Sequence, residues 1–143
     1  MLQRRLQVGV LVVDDQVPFR QVARDVIEAT SGFEALGEAA SGPEALVLVD
    51  ELDPELVLLD VRMPGMDGFE TARRLSAAHP EAVIVLISID DPSELSPQGV
   101  ESCGARTLIR KQDFGTHALR RLWAAHGTAG RGPRVSTAAR SPG

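Results

Sequence analysis

Leu56-Val57-Leu58-Leu59-Asp60-Val61-Arg62-Met63-Pro64-Gly65-Met66-Asp67-Gly68-Phe69-Glu70 holds a strand, a loop and the start of a helix. Leu56 to Leu59 is apolar without polar alternation, which fits a strand buried on both faces. It stops on an acid, Asp60. Pro64 and Gly65 punctuate the loop. Asp67 followed three residues later by Glu70 reads as a capping box, with Asp as the cap. The helix it opens uses Phe69, Ala72, Leu75 and Ala78, and His79-Pro80 ends it.

The same unit recurs on both sides. Val8 to Val13 is a second buried run, and it ends on Asp14-Asp15. Phe19, Val22, Ala23, Val26 and Ile27 then follow helical spacing. Phe33 to Ala40 is a weaker strand. Ser41-Gly42-Pro43-Glu44 is a capping box with Pro at the first helical position, and Asp53-Pro54 breaks its helix. Ala82 to Ile87 is a third buried run, ending on Ser88. In residues 89–104, Pro92, Pro97 and Gly99 leave room only for a short helix around Val100 to Cys103. Thr107 to Ile109 is a short strand followed by Arg110 and Lys111. Asp113 to Ala125 reads as the last helix. Five βα units imply an α/β protein with a doubly wound, flavodoxin-like parallel sheet of five strands, order 2-1-3-4-5.

Composition narrows the function classes. The 143 residues carry a net charge of −5, with 14 Arg and a single Lys, Lys111. Residues 1–115 hold 10 basic and 20 acidic side chains, whereas 116–143 hold five Arg and no acid. One domain over 1–126 and a disordered basic tail over 127–143 are expected. The acidic body argues against a phosphate-backbone binder, so nucleic acid is not an expected partner of this chain. Cys103 alone makes neither a disulfide nor a thiolate metal cage, and a buried thiol is expected there. No apolar run approaches the roughly 18 residues of a membrane span, and no secretory signal precedes the body. A cytoplasmic location is the expectation.

The chemistry gathers at the carboxyl ends of the strands. In the 2-1-3-4-5 order, the ligand crevice lies beyond strands 1 and 3. Asp14, Asp15 and Asp60 therefore converge there, with Ser88 and Lys111 alongside. Close carboxylates repel by roughly 4 kcal/mol per pair at 4 Å and an effective dielectric of 20. Such a cluster wants a cation, and all-oxygen ligands in an open crevice suit Mg²⁺. A carboxylate beside that ion can attack a phosphoryl group, with Lys111 as cation and Ser88 as hydroxyl donor. Taken singly, each residue has an ordinary reading: Asp14-Asp15 as a turn or cap, Asp60 as loop chemistry, Lys111 as a solvated charge. Their joint placement on one sheet edge carries the argument.

Leu11 to Asp15, the block Leu58 to Phe69, Ser88, and Gly104-Ala105 leading to Lys111 together resemble a response-regulator receiver domain of bacterial two-component signalling. The similarity covers about residues 7–126 and is greatest to receivers with LuxR-type outputs, the NarL/FixJ group. The resemblance implies Asp60 as phosphoacceptor. It implies Asp14, Asp15, Asp60 and the backbone carbonyl of Arg62 as Mg²⁺ ligands, and Ser88 and Lys111 as phosphoryl partners. A sensor histidine kinase or phosphotransfer protein is the implied donor, and a homodimer is admitted. The chain is expected to be no conventional enzyme, and to act as a stand-alone receiver that signals by protein–protein contact. Two departures matter. Leu108 stands where the family often carries a switch aromatic, and Gln112 stands where many members carry Pro. A degenerate scaffold that does not switch, the receiver fragment of a DNA-binding regulator, and an Mg²⁺-dependent phosphohydrolase are the rival readings. Arg62, where the last would need a second carboxylate, counts against it.

Overall fold

The computed structural model describes residues 7–127. Ten regular elements alternate: β1 (Val8–Val13), α1 (Val17–Ala29), β2 (Phe33–Ala39), α2 (Gly42–Leu52), β3 (Leu56–Asp60), α3 (Gly68–Ala78), β4 (Val83–Ser88), α4 (Pro97–Ser102), β5 (Thr107–Arg110) and α5 (Thr116–His126). All strand pairs are parallel, in the order β2-β1-β3-β4-β5. This is the doubly wound sheet expected from the three apolar runs. No helix among the described residues is long and apolar enough to cross a membrane.

Period-two alternation divides each central strand between two cores. Leu11, Val13, Val57, Leu59, Ile84 and Leu86 face Ala45 and Val49 of α2 and Ala72 and Leu75 of α3. Val10, Val12, Leu58, Val85 and Ile87 face Ala23 and Ile27 of α1 and Leu119 and Leu122 of α5. Both faces are covered, so these strands read as unbroken apolar runs. Cys103 is buried in the first core, as expected.

The helix starts follow the expected chemistry with local corrections. The Ser41 side chain accepts from the Glu44 N–H at 3.2 Å, while Glu44 Oε1 accepts from the Ala40 N–H at 2.7 Å. Asp67 accepts from the Glu70 N–H at 2.9 Å, but the Glu70 carboxylate turns outward to Arg73 and Arg74, each at 2.7 Å. Only half of that capping box forms. Pro97 opens α4 instead of breaking it, because the first helical turn needs no N–H from it. Ser96 Oγ caps that turn, accepting from the Gly99 N–H at 3.1 Å. A 3₁₀ turn over Pro92–Glu94 precedes it. At the other end, α5 starts at Thr116, not Asp113. Lys111–Asp113 forms a 3₁₀ turn, and Phe114 then leaves helical geometry to bury its ring in the α1/α5 core.

Gly127 ends the described body, its N–H donating to the Trp123 carbonyl at 2.7 Å. The rest of the expected tail, 128–143, lies outside the described residues.

Candidate functional site

The site begins where β1 runs out. The Asp14 N–H donates to the Ala39 carbonyl at 3.0 Å, so Asp14 extends the strand pairing by one residue. Its side chain is wholly buried. Asp14 Oδ1 accepts from the Gln16 N–H at 2.7 Å, which turns the chain into α1. Arg20, one turn into that helix, donates through Nη1 to the Asp14 carbonyl at 2.6 Å and through Nε to Glu38 of β2 at 3.1 Å. The acidic corner is thereby tied to two elements.

Asp60 ends β3, the strand beside β1, and is 5% exposed. The loop after it is anchored by the Gly68 N–H, which donates to the Val61 carbonyl at 2.8 Å. Gly68 must be glycine for this approach: a Cβ there would stand 2.2 Å from the Asp60 carbonyl oxygen. Asp14, Asp15 and Asp60 each place one carboxylate oxygen within 4.8 Å of the others. Ser88 ends β4, is buried, and accepts through Oγ from the Asp90 N–H at 2.9 Å. Lys111 follows β5, with Nζ 2.6 Å from Asp14 Oδ2 and 3.7 Å from Asp60 Oδ2. A cleft of about 340 Å³ opens over the group, lined by Asp15, Gln16, Asp60, Arg62, Ser88, Ile89 and Lys111. Every side chain singled out at the strand ends is therefore brought to one place.

The electrostatics are those of an acid cluster short of positive charge. Three carboxylates meet one ammonium. Burial, then the Asp14 charge, push the Asp60 carboxyl up to about 6; Lys111 and the Arg62 N–H pull the other way. The donor set is hard oxygen at an open cleft, which fits a divalent cation such as Mg²⁺ that keeps part of its water shell.

Three features escaped the sequence. The guanidinium of Arg62, which lines the cleft, forms an ion pair with Asp90. Arg20 braces the Asp14 carbonyl. The Phe19 ring lies under the Lys111 ammonium, 4.8 Å from Nζ to centroid. Helical spacing marks Phe19 only as an inward-facing residue of α1, so no sequence signal distinguishes it from core. Leu108 sits on β5 beside Leu86, partly buried against the α2–α4 core.

The Response regulator receiver domain family matches residues 10–122, most of the chain. The chain belongs to the response regulator receiver domain family. A receiver of this kind is similar to the "Protein-glutamate methylesterase/protein-glutamine glutaminase 5" of Myxococcus xanthus, at 42% identity over 106 residues, or 73% of this chain and 30% of that one. It is also similar to the transcriptional regulatory protein YdfI of Bacillus subtilis, at 33% identity over 71% of this chain and 47% of that one. The receiver thus spans under half the length of these relatives. Among solved structures, the signal receiver domain of NarL from Mycobacterium tuberculosis superposes with a TM-score of 0.74 at 30% identity, covering 87% of this chain and 98% of that one. A LuxR-family response regulator from Aurantimonas sp. SI85-9A1 gives 0.75 at 26% identity, covering 83% and 84%. NarL and LuxR-type receivers are thus among its structural likenesses, and the methylesterase likeness shows that similarity is not confined to them.

Proposed function

We propose that this receiver accepts a phosphoryl group on Asp60 from a histidine kinase or phosphotransfer protein, with Mg²⁺ bound, and signals through contact with another protein. The observation that carries the reading is the convergence of Asp14, Asp15 and Asp60 around one ammonium, Lys111, in an open cleft. Asp14 and Asp15 would hold the ion together with Asp60 and the Arg62 carbonyl. Bound there, the ion supplies charge neutralisation for the carboxylates and the incoming phosphoryl oxygens.

The chain's own groups account for the rest. A carboxylate oxygen of Asp60 forms the new bond to phosphorus as the donor's P–N bond breaks, and the imidazole leaves with the bonding pair. In this reading the Lys111 ammonium and the Ser88 hydroxyl donate to phosphoryl oxygens. The modification adds about −1.5 to −2 charge beside β4 and β5. Ser88 Oγ, which accepts from the Asp90 N–H at 2.9 Å, then gains an acceptor for its own hydroxyl proton. That shift biases the β4–α4 segment, a 3₁₀ turn and a six-residue helix with little burial of its own. The chain is not a conventional enzyme in this reading. A cytoplasmic location goes with it.

Incubation with acetyl phosphate and Mg²⁺ should add the mass of one phosphoryl group, and Asp60→Asn should abolish it. An undiminished gain in that variant sinks the assignment. Leu108 favours a second reading, a receiver that scaffolds without switching, because no aromatic side chain stands there to turn inward. Adding beryllofluoride separates the two: displaced amide resonances over 88–111 support switching, and an unchanged spectrum supports the scaffold.

A further inference from the structure

The Lys111 ammonium has an aromatic neighbour besides the acids. The Phe19 ring of α1 lies 4.8 Å from Nζ, centroid to nitrogen. Phe114 backs that ring, with centroids 6.2 Å apart and planes tilted by 53°. Phe114 is in turn tied to the lysine's own backbone, its N–H donating to the Lys111 carbonyl at 3.2 Å. The 3₁₀ turn that delayed α5 is what makes this possible. It carries Phe114 inward behind Phe19 while Lys111 reaches the cleft.

The arrangement matters because a lysine is hard to aim. Its ammonium is a compact charge on a flexible four-carbon stem. Here Asp14 and Asp60 compete for it, at 2.6 Å and 3.7 Å. An aromatic face attracts a cation without neutralising it or offering an oxygen. Phe19 thus holds the stem's end within reach of both acids, with Asp14 the nearer at 2.6 Å.

We propose that Phe19, seated on Phe114, is a positioning residue that keeps the Lys111 ammonium poised between Asp14 and Asp60, so that it can leave the first for a phosphoryl group on the second. This deepens the proposed function and rests on Asp60 being the phosphoacceptor. Lys111 is not consumed. It donates hydrogen bonds while the Asp60–phosphorus bond forms and the donor's leaving group departs with its electron pair. The plain alternative is that Phe19 is core filling, for which any apolar side chain of similar size would serve.

The sequence supplies a clean probe, since Lys111 is its single lysine. In protein labelled with ¹³C-lysine, the ε-methylene gives one signal, displaced upfield by the ring in the wild type. Phe19→Leu keeps apolar bulk and removes the ring. It should return that signal to the position of free lysine and lower the maximal rate of phosphoryl uptake from acetyl phosphate by about three- to tenfold. The half-saturating donor concentration and the thermal midpoint should stay near wild type. Phe19→Tyr should restore both the displaced signal and the rate. A Leu variant with wild-type rate, or a wild-type signal no different from the Leu variant's, overturns the proposal. If the wild type itself takes up no phosphoryl group, the phosphoacceptor reading falls, and with it the role in transfer. The methylene signal then still decides whether the ring holds Lys111.

Discussion

Lys111 Nζ stands 2.6 Å from Oδ2 of the wholly buried Asp14, nearer than to Asp60 at 3.7 Å. The lysine at this site therefore neutralises the buried Asp14 first and Asp60 second. The distribution of charge around that pair leads to separate expectations for stability, metal affinity and pH response.

Removing the ammonium should cost more than removing either acid partner alone. Lys111→Met keeps the stem and leaves Asp14 buried without its cation. Breaking a buried pair in this way costs about 3–5 kcal/mol, less where a neighbouring acid takes up a proton. Urea unfolding in EDTA at pH 7 should show a loss of about 2–4 kcal/mol. Millimolar Mg²⁺ should recover part of it. No loss in EDTA would mean that the pair contributes nothing to the fold.

Asp60 should destabilise the metal-free protein at neutral pH. Its carboxyl is raised from 3.8 to about 6 by burial and the Asp14 charge. The folded state therefore binds more protons than the unfolded state between those values. The contribution of Asp60 is fully present below pH 3.8 and is lost as pH rises through about 6. Asp60→Asn should flatten that fall and stabilise the metal-free protein at pH 7 by roughly 1–2 kcal/mol. Urea midpoints of both proteins at pH 5 and pH 7, in EDTA, measure the difference. A midpoint for Asp60→Asn at pH 7 below that of wild type contradicts the sign.

Divalent cation should raise the thermal midpoint, because binding to the folded state alone stabilises it by RT ln(1 + [L]/Kd). Mg²⁺ should act at concentrations where an equal ionic strength of KCl does nothing. Asp15→Asn removes the most solvent-facing of the three acids and should weaken apparent Mg²⁺ affinity by about tenfold, the effect of about 1.4 kcal/mol. Thermal-shift titration reads both. Equal responses to Mg²⁺ and KCl would mean screening, not a site.

Gly68→Ala should damage the site through the backbone. The added Cβ meets the Asp60 carbonyl oxygen at 2.2 Å and the Val61 Cα at 2.7 Å. Neither is the end of a flexible side chain. Overpacking of this kind costs about 1–3 kcal/mol, occasionally more. Denaturant unfolding should show that loss, together with a weakened Mg²⁺ response, since Asp60 must move. Gly115→Ala, where nothing lies within 4 Å of an added Cβ, serves as the control.

Much of this receiver is legible in its sequence because the strands are buried on both faces. Runs such as Leu56 to Leu59 read as strands buried on both faces, and each ends on a polar side chain of the candidate site. Three acids, Ser88 and Lys111 could thus be assigned to one edge before any coordinates. The short elements were less legible. Pro97 looks like a breaker until Ser96 is seen to cap its turn, and a helix starting at Asp113 is as regular on paper as one starting at Thr116. Local pattern cannot separate these, because burial of Phe114 against Phe19 decides the second and Phe69 beside Gly99 helps to place the first.

What the sequence alone determined was the sheet, its order and the membership of the acid cluster, all consequences of periodicity and topology. What only the tertiary structure decided was how the charges are shared: that Lys111 leans on Asp14, that Arg62 reaches Asp90 and that Phe19 stands beneath the ammonium. Those contacts join residues far apart in the chain. They depend on ångström-scale distances and on burial, neither of which a one-dimensional pattern contains.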